Sequence, residues 1–355
     1  MKSIVFLSHL QDEGERGGAY LRNSALSNCF VSWGMEVRTF YRGQFSLKPQ
    51  KLKKFLMGLR FGREIRSLFT KATFHVPACD ILLIDTIKYF SWTFSYDGPK
   101  PLVIYNAHNL EFENHFGKIS SKRKSKFAKY EVGLFDKVDL ILVCSPREKE
   151  LILSYNRALE SKIFIFPNLV SANRFSLKSS SKRTLFSFIG TLDYFPNIEA
   201  VKFLAKSIYP ELPQNLKDSF LIAGRRPSEE VRLLCKEVGI EMRLDLSESE
   251  MAELYLNTKI LLVPLAHGSG TRLKIIEGVL AGCMILSTPI GREGIDSKRI
   301  SEASLDSFLE EFLVLSSLES NPSVENDFLE NYELESWAKK NKSNFLSFIE
   351  SETQA

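Results

Sequence analysis

The feature that most restricts the fold is an alternation running the length of the chain, in which short apolar runs are separated by stretches with helical spacing. In the first half the runs predict strands over Ser3–Leu7, Glu36–Tyr41, Ile81–Asp85, Leu102–Asn106, Leu140–Cys144 and Lys162–Phe166, with a helix over Ala19–Trp33 that stops at Gly34. Runs this short and uniformly apolar suit parallel strands covered on both faces by helices. Pro167-Asn168 ends the last strand, and Ser171–Lys182 is a polar, Ser-rich connector. The pattern then restarts, with strands over Leu185–Ile189, Phe220–Ala223 and Glu241–Leu244 and helices over Asn197–Ser207, Ser228–Val238 and Ser249–Leu256. Neither half copies the other, so the architecture repeats and the sequence does not.

A chain of 355 residues exceeds one ordinary core. The expected fold class is therefore α/β, with two doubly wound parallel-sheet (Rossmann-like) domains over residues 1–168 and 169–330 and a terminal helix within 331–355. Leu334, Trp337, Phe345 and Phe348 share one face of that helix, predicted over Tyr332–Ile349, which docks either back on the first domain or at the edge of the second. Sheets of this kind bind ligands outside the carboxyl ends of their strands, and two of them are expected to face a cleft.

Ile260–Asp296 reads as strand, glycine loop, helix and second strand, with polar groups gathered at the loop. Gly268 and Gly270 let the backbone turn tightly and bring N–H groups near an oxyanion. Thr271 is expected to open the helix, whose first turn has unpaired N–H groups and the positive end of the dipole, and Arg272 and Lys274 add formal charge. A diphosphate fits such a place. Glu277, about two turns in, could accept hydrogen bonds from ribose or sugar hydroxyls, while Leu273, Ile276 and Leu280 have the spacing of a buried face. The plain alternative is an ordinary strand-to-helix glycine turn, with Lys274 and Glu277 as a solvated pair.

Other candidates also fall at strand ends. Gly17-Gly18 precede the first helix and could approach a phosphate or sugar, although Gly14, Gly17 and Gly18 lack the dinucleotide-binding spacing. His108, beside Asn109 and Glu111, follows the strand ending at Asn106, where an imidazole can bind a hydroxyl or shuttle a proton. Arg225 and Arg226 follow Gly224, and a guanidinium there could fork onto diphosphate oxygens. Gly190-Thr191 and the Gly291–Gly294 loop complete the set. No Ser-His-Asp order, metal cluster or P-loop lysine motif appears, so hydrolysis by those routes and nucleotide-triphosphate chemistry are not expected, and no cofactor is called for.

Composition sets the surroundings. Hydrophobic content of 44% and charged content of 25% are those of a globular protein. Cys29, Cys79, Cys144, Cys235 and Cys283 are scattered and read as buried thiols in a reducing compartment. The opening apolar run is too short for a signal peptide and no stretch suits a membrane span, which points to the cytoplasm. Net charge is only +4, yet Lys48–Lys71 and Lys118–Lys129 are strongly basic with apolar residues interleaved. Such runs suit contact with an anionic membrane surface, which would place the protein at the inner face of the cell membrane; a solvated helix face and loop is the alternative, and nucleic acid is not expected as a partner.

The ordered set GG after the first strand, AHN mid-chain, FPNLV at the connector, FIGTLDYFPNIEAVKFL, LIAGRRP and GSGTRLKIIEGVLAGCMILSTPIGREGID resembles the retaining nucleotide-sugar glycosyltransferases of the two-Rossmann-domain (GT-B) fold, in the group 1 or family-four class. The resemblance covers nearly the whole chain. It implies that the C-terminal domain holds a UDP- or GDP-sugar and the N-terminal domain a saccharide or lipid-linked acceptor. Gly268, Ser269, Gly270, Thr271, Arg272, Lys274, Arg225 and Gly190 would then surround the donor, Glu277 would bind its ribose, and Gly18 and His108 would flank the transferred sugar, with Gly17 and Asn109 on the acceptor side. The implied transfer retains anomeric configuration without a metal, and the leaving diphosphate helps deprotonate the attacking hydroxyl. Two departures stand out: Ser269 replaces the first member of the family's Glu-x7-Glu pair, of which Glu277 is the second, and GTLDYFPN lacks the Arg and Lys that many relatives keep. A sugar-nucleotide-binding module without catalysis and a GT-B-fold epimerase are the alternative functions.

Overall fold

Chain segments made almost wholly of Val, Ile, Leu and Phe have no polar face to turn to water, so they pair side by side under helices. The computed structural model describes residues 1–10, 17–41, 48–49, 70–114, 120–175, 183–268, 270–318 and 323–353. It divides into unit 1, Met1–Asn168 with Ala338–Ala355, and unit 2, Leu169–Trp337.

Unit 1 contains β1 (Ser3–Ser8), α1 (Gly18–Ser32), β2 (Glu36–Tyr41), β3 (Thr73–Val76), β4 (Ile81–Ile84), β5 (Thr93–Tyr96), β6 (Leu102–Asn106), α2 (Ser121–Leu134), β7 (Leu140–Val143), α3 (Pro146–Leu153) and β8 (Ile163–Ile165). Six strands form one parallel sheet in the order β8-β7-β6-β4-β1-β2, and β3 pairs with β5 in a small parallel sheet. Every residue of the inner strands β4 and β7 is buried, whereas the edge strand β2 is partly exposed. β1 lies between β2 and β4, so the winding reverses between β1 and β4.

Unit 2 contains β9 (Leu185–Thr191), α4 (Phe195–Phe203), β10 (Phe220–Arg225), α5 (Glu229–Val238), β11 (Glu241–Leu244), α6 (Glu248–Asn257), β12 (Thr258–Val263), α7 (Leu273–Ala281), β13 (Met284–Ser287), β14 (Ile300–Glu302), α8 (Phe308–Ser317) and α9 (Asn326–Tyr332). Its sheet is parallel throughout in the order β11-β10-β9-β12-β13-β14, so the winding reverses between β9 and β12. The two parallel sheets agree with the α/β, doubly wound class expected from the alternation.

α10 (Leu334–Thr353) starts two residues later than the periodicity suggests, because Tyr332 closes α9 and Glu333 is extended. Its buried residues are Trp337, Ala338, Phe345 and Ile349. Phe345 stacks on Phe30 of α1 with ring centroids 5.4 Å apart and meets Phe164 of β8 at 5.2 Å. Trp33 Nε1 donates to Ala338 O at 2.9 Å. These contacts attach the end of the chain to unit 1.

Cys29, Cys144, Cys235 and Cys283 are buried, and Cys79 is only half-buried. The Lys48–Lys71 run lies almost wholly outside the described residues. Within the second basic run, α2 buries Phe127, Ala128 and Val132 and exposes Lys122, Arg123, Lys126 and Lys129. No helix among the described residues is long and apolar enough to cross a membrane.

Candidate functional site

In unit 2 the candidate groups meet where β9 and β12 lie side by side with crossovers leading to opposite edges of the sheet, the place at which open parallel sheets hold ligands. The loop from β12 to α7 carries Gly268 at φ 122° and Gly270 at φ 80°, backbone conformations that side chains other than glycine rarely adopt. Ser269 lies outside the described residues. Thr271 does not open the helix: Arg272 is its N-cap in extended conformation and Leu273 its first residue, because the left-handed turn at Gly270 delays entry into helical dihedrals. The Arg272 guanidinium folds back onto Gly270 O. α7 also rests on a different stripe from the one the spacing indicates: Ile275, Ile276, Gly278, Val279 and Ala281 are buried, and Leu273 and Leu280 only partly so. The helix packs on β13 and α6, and a Cβ on Gly278 would lie 2.8 Å from Ile285 Cδ1 and 2.9 Å from Leu261 Cδ2.

Lys274 projects from the first turn of α7 toward the end of β9. Its Nζ donates to Asn197 Oδ1 at 3.2 Å and stands 4.4 Å from the Phe188 ring centroid. Asn197 in turn donates to Thr191 O at 2.9 Å, which fixes the amide. Gly190 makes room for this: a Cβ there would fall 2.8 Å from Asn197 Nδ2 and 3.1 Å from Lys274 Nζ. Burial, with the Arg272 charge nearby, pushes the Lys274 ammonium down to about 7. Beside this cluster Phe195 stacks on His267, ring centroids 6.1 Å apart, and both side chains are exposed.

Glu277 is buried and already engaged. Arg174 Nη1 donates to its Oε1 at 2.6 Å and Tyr255 Oη to its Oε2 at 3.0 Å. Burial raises its pKa against the opposing pull of Arg174 and Tyr255. Arg225 is the last residue of β10, not a loop residue after it, and its Nη2 reaches Leu246 O at 3.3 Å. Arg226 pairs with Asp193 at 3.2 Å on the surface.

In unit 1 the groups at the carboxyl ends of β1, β4 and β6 converge on Asp85. Its Oδ1 accepts from the His9 backbone N–H at 2.7 Å; its Oδ2 accepts from His9 Nδ1 at 2.9 Å and Asn23 Nδ2 at 2.7 Å. His108 Nε2 lies 3.5 Å from the same Oδ2. Burial works against the Asp85 charge, yet the contacts from His108 and His9 outweigh it and hold the carboxyl well below the usual range. Burial pushes His108 down to about 4 despite Asp85. Just beyond, the buried Glu131 accepts the Glu111 and Phe112 backbone N–H groups, both at 2.9 Å, and so anchors the turn that follows His108 and the half-buried Asn109. Burial, reinforced by the charge of Glu111, raises Glu131 to about 8. Gly17 is the N-cap of α1 and Gly18 its first residue. One turn on, Arg22 is buried and donates to Asn106 Oδ1 at 2.9 Å, Phe166 O at 2.9 Å and Asn168 Oδ1 at 3.1 Å.

Sequence spacing thus located the glycine loop, Lys274, Glu277 and His108, but missed Asn197, Phe188, Arg174, Tyr255, His9, Asp85 and Asn23. The strand-end argument that selected His108 applies equally to His9 and Asp85, and extending it to them would have found both.

No curated protein sequence matches the chain. Among solved structures, HepE of Anabaena in complex with UDP and glucose is 11% identical with a TM-score of 0.62, the alignment covering 98% of this chain and 100% of that one. The sucrose-phosphate synthase of Thermosynechococcus elongatus is 13% identical with a TM-score of 0.65, covering 99% and 100%. WaaG, a glycosyltransferase involved in lipopolysaccharide biosynthesis, is 11% identical with a TM-score of 0.61, covering 96% and 94%. At these identities the likeness is one of fold, the GT-B type built on two parallel α/β sheets. Residues 183–315, which make up most of unit 2, match the family model described as Glycosyl transferases group 1.

Proposed function

We propose that the chain is a glycosyltransferase that moves a sugar from a UDP- or GDP-sugar to a hydroxyl of a polysaccharide or lipid-linked acceptor. The observation that carries this reading is the convergence of Lys274, Gly190, the Gly268–Gly270 loop and the start of α7 at the β9–β12 switch point. The backbone N–H groups of the helix start, its dipole and two cationic side chains together suit a diphosphate. The match of this same region to group 1 glycosyltransferases, and a structural neighbour in complex with UDP-glucose, support a nucleotide-sugar donor.

On this reading unit 2 holds the donor. The diphosphate charge that develops as the sugar leaves is stabilised by the α7 amides with Arg272 and Lys274, so that protein groups supply the electrostatic work and no metal is called for. Glu277, held by Arg174 and Tyr255, has carboxylate lone pairs left for a ribose hydroxyl, since each oxygen accepts more than one bond. His108 and the Gly17-Gly18 start of α1 serve the saccharide side, the anomeric configuration is retained, and the departing diphosphate takes the acceptor proton. The basic face of α2 brings the protein to an anionic membrane surface.

A thermal-shift panel of UDP- and GDP-sugars, followed by turnover with saccharide acceptors and NMR of the product's anomeric proton, tests these steps in order. Stabilisation by a nucleotide sugar that is lost in Arg272→Ala is expected. No stabilisation by any member of the panel overturns the donor assignment, and an inverted product overturns retention.

A further inference from the structure

β1 and β4 are the strands between which the unit 1 sheet reverses its winding, and outside their carboxyl ends lies this sheet's own ligand-binding position. His9 follows β1, Asp85 follows β4 and His108 follows β6, the next strand over. The Asp85 side chain is wholly buried, with side-chain exposures of 31% for His9 and 14% for His108, so the carboxylate lies beneath two rings that reach toward solvent. The rings meet edge-on, centroids 5.0 Å apart.

The chemistry follows from the carboxylate. An ionised Asp only accepts hydrogen bonds, so whichever ring nitrogen faces it carries the proton. In His9 that is Nδ1, at 2.9 Å, and the His9 backbone N–H and Asn23 hold the carboxylate from other directions. In His108 the facing atom is Nε2, at 3.5 Å; it is buried and makes no other hydrogen bond among the described residues. A small rotation of the ring would close that gap to a hydrogen bond. Besides Asp85, the charged neighbour of His108 is Arg22, whose guanidinium opposes a positive charge on the ring. His108 is accordingly neutral at pH 7, and a neutral ring protonated on Nε2 has its lone pair on Nδ1.

We propose that Asp85 is a positioning residue: its buried carboxylate, anchored by His9 and Asn23, locks His108 in the Nε2–H tautomer so that Nδ1 accepts a hydrogen bond from a saccharide hydroxyl. This rests on the reading of unit 1 as the saccharide side of a glycosyltransferase and assigns to that side a residue pair, His9 and Asp85. The same three donor atoms lie within 4.8 Å of one another and could clasp a divalent cation instead. The ordinary hydrogen-bond length between His9 Nδ1 and Asp85 Oδ2, with a backbone donor on the other oxygen, favours a proton there.

The test uses the full chain labelled with 15N-histidine, the rings assigned through His9→Gln and His108→Gln. At pH 7 the expected spectrum shows His9 protonated on Nδ1 and His108 neutral and protonated on Nε2; a His108 that is charged or carries its proton on Nδ1 overturns the proposal. Asp85→Asn, which preserves shape and removes the charge, is expected to lower kcat about 100-fold, the scale of a misplaced reacting group, with the donor KM little changed. A folded Asp85→Asn protein with unchanged kcat also overturns it, and if that variant does not fold the wild-type spectrum decides. Co2+ that develops a visible absorption band in the wild type and none in Asp85→Asn overturns it in favour of a cation site. Because the spectrum is read without turnover, failure of all nucleotide sugars as substrates defeats the glycosyltransferase reading and leaves the tautomer result standing.

Discussion

On the proposed donor assignment, Lys274 makes binding dependent on pH in a direction set by its burial. Its ammonium is drawn down from an ordinary 10.5 to about 7 by burial and the neighbouring Arg272 charge. The sign for folding follows: below pH 7 both the folded and unfolded chains carry the proton, and the folded chain bears the full penalty of a desolvated charge. Between pH 7 and 10.5 the unfolded chain keeps the proton while the folded one releases it, so the ligand-free protein gains stability as pH rises through that window. The gap corresponds to about 5 kcal/mol as an upper limit, reached only at its alkaline end. Binding runs the other way. A diphosphate beside Nζ favours the charged form, so the donor draws a proton in with it above pH 7. If the complex keeps Lys274 charged, affinity falls about tenfold per pH unit above 7, or roughly 50-fold between pH 7 and 9.

Calorimetric titration with a nucleotide sugar found to bind is the assay, since its diphosphate, esterified at both ends, does not itself titrate near neutrality. Repeating the titration in buffers of different ionisation enthalpy at pH 8 counts the protons taken up, and about one is expected. Lys274→Met should bind more weakly at pH 7 and lose the slope, while His267→Gln, which removes the imidazole next to Gly268, should keep it; Arg272 stays charged throughout. A wild-type affinity that is flat from pH 7 to 9, or a slope that survives in Lys274→Met, refutes the assignment of this lysine to the diphosphate.

Gly224 faces Gly190 across β10 and β9, and a Cβ on it would fall 1.8 Å from Gly190 O, a backbone atom that cannot swing aside. Gly224→Ala should therefore destabilise unit 2 by at least ~3 kcal/mol, and a soluble variant with wild-type urea midpoint would show that the strands part more easily than this. Arg174→Met removes the strongest partner of a buried carboxylate, a loss of about 3–5 kcal/mol in a fully buried pair and less here because Arg174 is partly exposed. Without Arg174 the Glu277 pKa rises further, so the deficit should widen as pH rises, because the folded wild type releases the Glu277 proton before the folded variant does; an equal deficit at pH 5 and pH 7.5 contradicts the pairing. Reversing Lys122, Arg123, Lys126 and Lys129 to Glu should abolish retention on anionic vesicles, at about 1 kcal/mol per charge, and equal sedimentation with neutral vesicles would dismiss α2 as a membrane face.

Local signals made some of this architecture legible in the sequence. β4 and β7 are wholly apolar and wholly buried, so their composition and their burial coincide. Gly268 and Gly270 were readable for a different reason, namely that a helix start able to grip an anion needs backbone that only glycine adopts comfortably. Weaker signals went unread. α3 carries one at Ser145-Pro146-Arg147-Glu148, where Ser145 Oγ accepts from Glu148 N at 3.3 Å, but the segment is short. β3 and β5 are four-residue strands, Thr-Phe-His-Val and Thr-Phe-Ser-Tyr, that pair with each other. α2 begins with basic residues that oppose its own dipole, so helical propensity alone leaves it undecided.

The site partners were hidden for a deeper reason. Lys274 is held by Asn197 and Phe188, which come from a strand and helix far earlier in the chain, and they meet it only because β12 inserts beside β9 and not beside β11. Asp85 looked like the last apolar-strand residue until the strand ended at Ile84, one position sooner, and released its carboxylate into the space outside β1. Periodicity reports which face of an element is buried, whereas strand order decides which loops share a sheet's end. In each unit one group with perturbed protonation lies where that order reverses, Lys274 beside β9 and β12 and Asp85 beside β1 and β4. Crossovers that lead away in opposite directions leave the strand ends there uncovered, so polar side chains can gather without displacing a packed loop. In a sequence of this class, then, the residue immediately after each strand flanking the predicted reversal merits scrutiny ahead of any glycine motif, and by that criterion His9 and Asp85 precede His108.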